Sequence, residues 1–316
     1  MKRAAKMGAR QAWLWRHRGA FSDPTPSSSS RLLVDVSAIM DHDAQTGIQR
    51  VVRAVWSELL NREELGVEVL PVYATSTHGY CYAPPDFLHC KSHSPELRTV
   101  RVRSGDKFLG LDLSAHLLPK YRRQLKAWRA SGATIHLVVY DLLPILRPAW
   151  FTPSGVANFR KWLELLGEEA DQAVCISDHV ASELRQALRQ VGCRRIPELG
   201  RLEMGADIAA SVPSAGICDE LQRQLENLRF RAAVLMVGTV EPRKGYEAAL
   251  AAFDHLWRAR PTEAPDLVIV GKAGWKTSEL QETIRSHPLF GRRLRWFEHM
   301  SDEGLCLLYD ACQGCS

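Results

Sequence analysis

The sequence lacks several features that would each have classified it at once. It holds no run of about 18 apolar residues, so no segment reads as a membrane-spanning helix. No strand-like segment runs into a G-x-G-x-x-G turn, which removes the case for an NAD-dependent dehydrogenase. Eight cysteines stand at 81, 90, 175, 193, 218, 306, 312 and 315. Cys312 and Cys315 form a C-x-x-C, but no second pair and no histidine partner lies near it, where a zinc site needs two such clusters. Asp41, His42 and Asp43 spell D-H-D in a polar loop and read as a turn rather than as metal ligands. A strong charge of either sign is also missing. The net +5 is modest and scattered, with no stripe for nucleic acid, although a basic balance suits anionic substrates or an anionic membrane surface.

What is present is an ordinary globular composition, 46% hydrophobic and 24% charged over 316 residues. At about 150 residues per domain this predicts two domains. Cys175 in "AVCIS" and Cys306 in "GLCLLY" sit in apolar segments as small core residues do, and unpaired cysteines fit a reducing cytoplasm. Residues 1–30 are a basic leader and flexible linker without the apolar centre of a signal peptide. The leader reads as disordered, or as a surface-lying amphipathic segment carrying Trp13, Leu14 and Trp15.

From Arg31 strands and helices alternate, which predicts an α/β fold of doubly wound, Rossmann-like parallel sheets. A strand is expected over 31–40. In the following helix Ile48, Val51, Val52, Val55 and Leu59 share one face, with Gln49, Arg50, Arg53 and Glu58 on the other. Further strands are expected at 67–73, 107–114, 133–145 and 172–177, with Asp178 close to the N-cap of the helix after the last. "SVPSAGICDELQRQLENLRF" interrupts the alternation and reads as a hinge. The expected division is a first Rossmann-like domain at 31–210, a hinge at 211–230 and a partial second domain at 231–316. The second series contains only three strands, near 232–237, 266–271 and 292–298.

One stretch of that second series carries chemistry. In "VGTVEPRKGYEAALAAF" Gly238 frees the backbone at the carboxyl end of a strand, where ligands bind in open parallel sheets. Tyr246, Leu250, Phe253 and Trp257 run 4, 3 and 4 apart and define the buried face of a helix expected over 244–259. Arg243 and Lys244 then fall where that helix starts. A helix N-terminus is already electropositive, so two cations there cost about 0.3–1 kcal/mol each. An anion held between them, most naturally a phosphate or diphosphate, offsets that cost; the alternative is two solvated charges on a loop.

The same stretch resembles the donor-domain motif of the retaining glycosyltransferases of family 4, which have the GT-B fold. "TGIQRVVRAV", "VVYDLLPILRPAWF" and "AVCISDHVASEL" resemble amino-domain segments of a subgroup that makes bacterial polysaccharides. "LVIVGKAGW" and "MSDEGLCLLYDA" resemble its later donor-domain segments, and the likeness covers most of 31–311 in order. The resemblance implies hexosyl transfer from a nucleoside-diphosphate sugar to a polysaccharide or lipid-linked glycan acceptor, retaining and independent of metal or cofactor. It places Arg243 and Lys244 on the donor diphosphate. Gly238 lies beside them, and Gly47 is either a backbone approach to the phosphates or the acceptor, or a plain turn glycine. Asp141 is either an active-site residue or a structural cap, since Tyr140 stands where many relatives carry histidine. Lys272, with Trp275, either helps form the donor pocket or packs on the surface. A cytoplasmic protein with peripheral contact at the inner membrane face is the matching expectation. Relatives continue past "LYDA" into a P-S-x-x-E-G-F-G-L-P-x-x-E-A segment, so the resemblance leads one to expect a truncated donor side lacking both glutamates and with activity lost. The competing readings are a non-catalytic nucleotide-binding fragment and a nucleotide-sugar isomerase.

Overall fold

The computed structural model describes residues 30–43, 46–62, 64, 66–88, 97–205, 214–217, 219–228 and 231–312. The leader, most of the linker and cysteines 90, 218 and 315 lie outside the described residues, so the readings placed on them are not addressed.

The first series runs β1 (Arg31–Asp35), α1 (Ser37–Asp41), α2 (Gly47–Asn61), β2 (Glu68–Tyr73), β3 (Cys81–Tyr82) and β4 (Lys107–Gly110). It continues with α3 (Arg122–Ala130), β5 (Thr134–Val139), α4 (Leu143–Leu146), α5 (Pro153–Glu169), β6 (Gln172–Cys175), α6 (Asp178–Gln190) and β7 (Glu198–Arg201). These strands form one seven-stranded sheet in the order β3-β2-β1-β4-β5-β6-β7, parallel except for β3. Chain direction across the sheet reverses between β1 and β4, where Leu33 pairs with Leu70 on one side and Phe108 on the other. Period-2 alternation sends Leu33, Leu137 and Val139 to one helix layer with Leu125, Trp128, Trp162 and Leu184. Val34 and Val138 go to the other, with Val52 and Trp56 of α2.

The second series is α7 (Asp219–Leu228), β8 (Ala233–Val237), α8 (Tyr246–Ala259), β9 (Asp266–Val270), α9 (Ser278–Arg285), β10 (Leu294–Phe297) and α10 (Asp302–Ala311). Its strands make a parallel sheet in the order β10-β9-β8 among the described residues. Every residue of the central strand β9 is buried, as two covered faces require. Leu267 and Ile269 meet Tyr246, Leu250, Phe253 and Trp257 of α8, the face that the 4-3-4 spacing predicts. Val268 and Val270 meet Leu221 and Leu228 of α7 and Leu308 of α10 on the other side.

Several expectations shift. The strand expected over 31–40 stops at Asp35, because Ser37 turns on the Asp35 carboxylate and opens α1. Gln49 is not on an outer face: it is buried, closing a capping box with Thr46 and donating to His42 O (2.7 Å). Ser177, not Asp178, caps α6. Part of the stretch read as a hinge is helix α7, packed on the second sheet. Cys306 is exposed rather than core, whereas Cys81, Cys175 and Cys312 are buried. Burial pushes the Cys175 thiol up to about 11 against the charge of Arg185, which acts the other way, so it is an inert packing residue.

Candidate functional site

The ends of β8 and β9 touch backbone to backbone. Gly238 (φ 145°) donates its N–H to Val270 O at 2.8 Å, and Gly271 (φ 151°) donates to Phe297 O at 2.9 Å. A Cβ on Gly271 would lie 2.0 Å from Gly238 O, so only glycine fits this approach. Further out, Val240 N–H donates to Lys272 O (2.9 Å) and Gly274 N–H to Val240 O (2.9 Å), lacing the loop after β8 to the loop after β9.

On this platform Pro242–Lys244 form a single 3-10 turn, closed by Lys244 N–H on Glu241 O at 3.0 Å. The helix therefore starts later than expected. Gly245, left-handed at φ 71°, separates the two cations from α8, so their position is the turn that leads into the helix rather than its first turn. The Lys244 side chain folds back over the strand end: a Cβ built on Gly238 would meet Lys244 Cε at 3.6 Å and Nζ at 3.8 Å. Tyr246 Oη donates to Gly238 O at 2.7 Å. Burial, and then the charge of Glu241, push this phenol up to about 12, so it stays a donor at physiological pH. A cavity of about 520 Å³ opens beside these groups, lined by Val234, Met236, Val237, Ala249 and Phe253 with Lys244 and Tyr246. Its walls are apolar except for one cation and one phenol.

Arg243 takes a different course. Its Nη2 pairs with Glu241 Oε1 at 2.8 Å, and Glu241 is 2% exposed. Reading the sequence for cations alone missed Glu241; its signal was an acid directly before the Pro-Arg-Lys turn.

The remaining predicted residues are placed as follows. Lys272 contributes its carbonyl to the lacing described above, and its side chain is exposed. Asp141, just past β5, accepts from Leu143 N–H at 3.1 Å where α4 begins. Its neighbour Tyr140 is buried and donates to Leu111 O at 2.8 Å; burial, then the Asp112 charge, raise its phenol far above the ordinary range. Gly47 opens α2 with nothing within 4 Å of a built Cβ, so its surroundings are open. Asp43 of the D-H-D stretch pairs with Arg53, and no group of metal-ligating side chains occurs among the described residues.

The two series meet at the carboxyl ends of their strands. Trp275, assigned from the sequence to the donor pocket or the surface, donates its indole N–H to Trp150 O (2.7 Å) and packs on Phe151 with ring centroids 5.9 Å apart. Lys276 Nζ donates to Ala149 O (2.9 Å) and Phe151 O (2.7 Å). Across the same divide Arg50 of α2 pairs with Asp302 of α10 at 2.6 Å.

Two largely parallel sheets, each clad by helices on both faces and brought together at their carboxyl edges, define an α/β protein of two Rossmann-like units, the GT-B arrangement. The fold is shared with the solved N-terminal domain of trehalose-6-phosphate phosphatase from Candida albicans, at TM-score 0.52 and 12% identity over 92% of this chain and 77% of that one. No protein-family model matches the chain. It is 39% identical over 289 residues to a serotype-specific mannosyltransferase WbdA of Escherichia coli, covering 88% of this chain and 34% of that protein. A second WbdA sequence from the same organism is 38% identical over 287 residues, 88% of this chain and 35% of its own length. The chain thus spans about a third of the length of the curated relatives it matches.

Proposed function

We propose that the chain is a glycosyltransferase that moves a hexose, with mannose the first choice, from a nucleoside-diphosphate sugar to a glycan acceptor. The observation that carries this reading is Lys244 folded over Gly238 at the carboxyl end of β8, with Arg243 one residue away and an apolar cavity alongside. Similarity to serotype-specific mannosyltransferases over most of the chain supports the choice of sugar, and a polysaccharide or lipid-linked glycan is the acceptor in this reading. In this reading the bond between the anomeric carbon and the diphosphate oxygen breaks with retention of configuration. The acceptor hydroxyl oxygen takes the place of the diphosphate, and its proton passes to the departing phosphate. Negative charge grows on the diphosphate as it leaves, and fixed cations at Lys244 and Arg243 stabilise that charge without a metal ion. The first unit holds the acceptor and the second the donor. Contact with a lipid-linked acceptor is by peripheral association in this reading; among the described residues no helix is long and apolar enough to cross a membrane.

The test is transfer and binding with a panel of mannose and glucose nucleotides. Lys244→Ala is expected to weaken nucleoside-diphosphate binding about tenfold or more, the loss of one charge-assisted phosphate contact. Unchanged affinity sinks the assignment. Flotation with anionic liposomes checks the peripheral association, and an absence of bound protein removes it.

A further inference from the structure

Among the described residues, the buried side-chain atoms left without a hydrogen-bond partner are Glu241 Oε2 and Arg243 Nε, and they belong to the two members of one ion pair. Leaving such atoms unmatched is costly, most of all for charged groups, so native proteins rarely keep them without a use. An arginine that closes a two-bond fork on a carboxylate would satisfy both at once. Here one bond is made, Nη2 to Oε1 at 2.8 Å, and the other is open.

The surroundings explain which partner is fixed. Glu241 is nearly sealed, its side chain 3% exposed, and its backbone carbonyl closes the 3-10 turn by accepting from Lys244 N–H. The neighbouring Val240 is laced to Lys272 and Gly274, and a Cβ on Gly274 would come within 3.2 Å of Glu241 Cβ. The backbone and Cβ of Glu241 are therefore held by the contact between the loops after β8 and β9, and its carboxylate is closed in by burial. Arg243 keeps 29% of its side chain exposed and sits on a long, rotatable stem.

We propose that Glu241 is the positioning residue of this site: it tethers the Arg243 guanidinium by one nitrogen and holds the rest of it ready for a phosphate oxygen. The inference rests on the transferase reading above. A fully closed fork would spend the arginine on its own carboxylate. A free arginine would lose side-chain entropy when the ligand bound. The half-closed fork avoids both, because the ordering is done beforehand and the exposed 29% of the arginine side chain is left to meet the incoming anion.

The experiment is a double-mutant cycle on the full chain, with GDP and UDP as probes and affinity read by calorimetry. Arg243→Ala and Glu241→Ala are each expected to weaken binding about tenfold, and the double variant no further than Arg243→Ala alone. Glu241→Gln retains an oxygen for Nη2 and is expected to restore most of the affinity. If Glu241→Ala costs nothing, or costs as much in the Arg243→Ala background as in the wild type, Glu241 does not act through Arg243 and the proposal falls. Thermal unfolding of Glu241→Gln verifies that the fold is kept. Loss of affinity in Arg243→Ala and Lys244→Ala with no effect at Glu241 would leave the transferase reading standing and remove this inference alone. Wild-type protein that binds neither nucleotide would remove both.

Discussion

Asp35 and Asp112 stand in the crevice between β1 and β4, where the strand order of the first sheet reverses. Asp35 is wholly buried and accepts from Ser37 N–H, Tyr80 Oη and Ser114 Oγ, each at 2.9 Å. Asp112 accepts from Ile39 N–H at 2.7 Å and Leu113 N–H at 2.9 Å. The two carboxylates brace α1 and the loop after β4 against the strand ends, and Asp35, closed to solvent, is a brace rather than a ligand. Burial, and then the charge of Asp35, push the Asp112 carboxyl up to about 6 from 3.8. A carboxyl with a raised folded value holds its proton more tightly when folded. Its contribution to stability is full below pH ~4, falls as pH rises toward about 6, and is flat above. The span corresponds to about 3 kcal/mol. Urea unfolding of the wild type should show that decline, and Asp112→Asn should flatten it. The variant should also be less stable at pH 4, since its amide NH₂ would face a backbone N–H. Equal slopes for the two proteins would show that Asp112 does not titrate as described. Asp35, also raised by burial, acts in the same direction.

At the scale of elements, the contact that shapes the site is glycine against backbone. Gly271→Ala would drive a Cβ to 2.0 Å from Gly238 O, so β8 and β9 must part at their ends. The expected result is a loss of several kcal/mol of stability, beyond the ~1 kcal/mol of a simple left-handed glycine, together with loss of nucleotide binding. Denaturant unfolding and calorimetry on the same preparation check both, and a variant with wild-type stability would mean that the strand ends are not in contact. The helix that follows was legible beforehand, because Tyr246, Leu250, Phe253 and Trp257 need only periodicity to declare a buried face. Its true start was not. The 3-10 turn at Pro242–Lys244 depends on Gly245 turning left-handed, and a glycine after Arg-Lys reads equally well as part of a helix start. Likewise α7 was hidden inside an apparent hinge, since Leu221 and Leu228 are core residues only once the second sheet supplies their partners.

For the whole molecule, the two units are joined on their carboxyl edges by Trp275 and Lys276 on one side and the Arg50–Asp302 pair on the other. Among the described residues Lys276 is the non-glycine residue with positive φ, at 55°. That strain costs on the order of 1 kcal/mol and is held in place by its two carbonyl contacts. Lys276→Gly should therefore be more stable than Lys276→Ala by about 1 kcal/mol, although both lose the ammonium. Trp275→Ala combined with Lys276→Ala should separate the units. Small-angle scattering would then report a larger radius of gyration, while the helix content of each unit stays unchanged. A radius equal to that of the wild type would show that these contacts do not hold the units together.

Taken alone, the chain determined the alternation of strands and helices, the apolar faces that build both sheets, and the presence of two cations where a strand of the second series ends. Those properties are local: they follow from periodicity, from turn residues and from charge at known positions. Only the tertiary structure decided that Arg243 pairs with Glu241, that Trp275 contacts the other unit, and that Asp141 accepts from Leu143 N–H. The first of these depends on burial, conferred by a segment far away in sequence, the loop at 271–277 that packs on Glu241, and the second on the meeting of two units through residues 125 positions apart. A charge can be read from one residue, but its partner and its solvent are set by the packing around it.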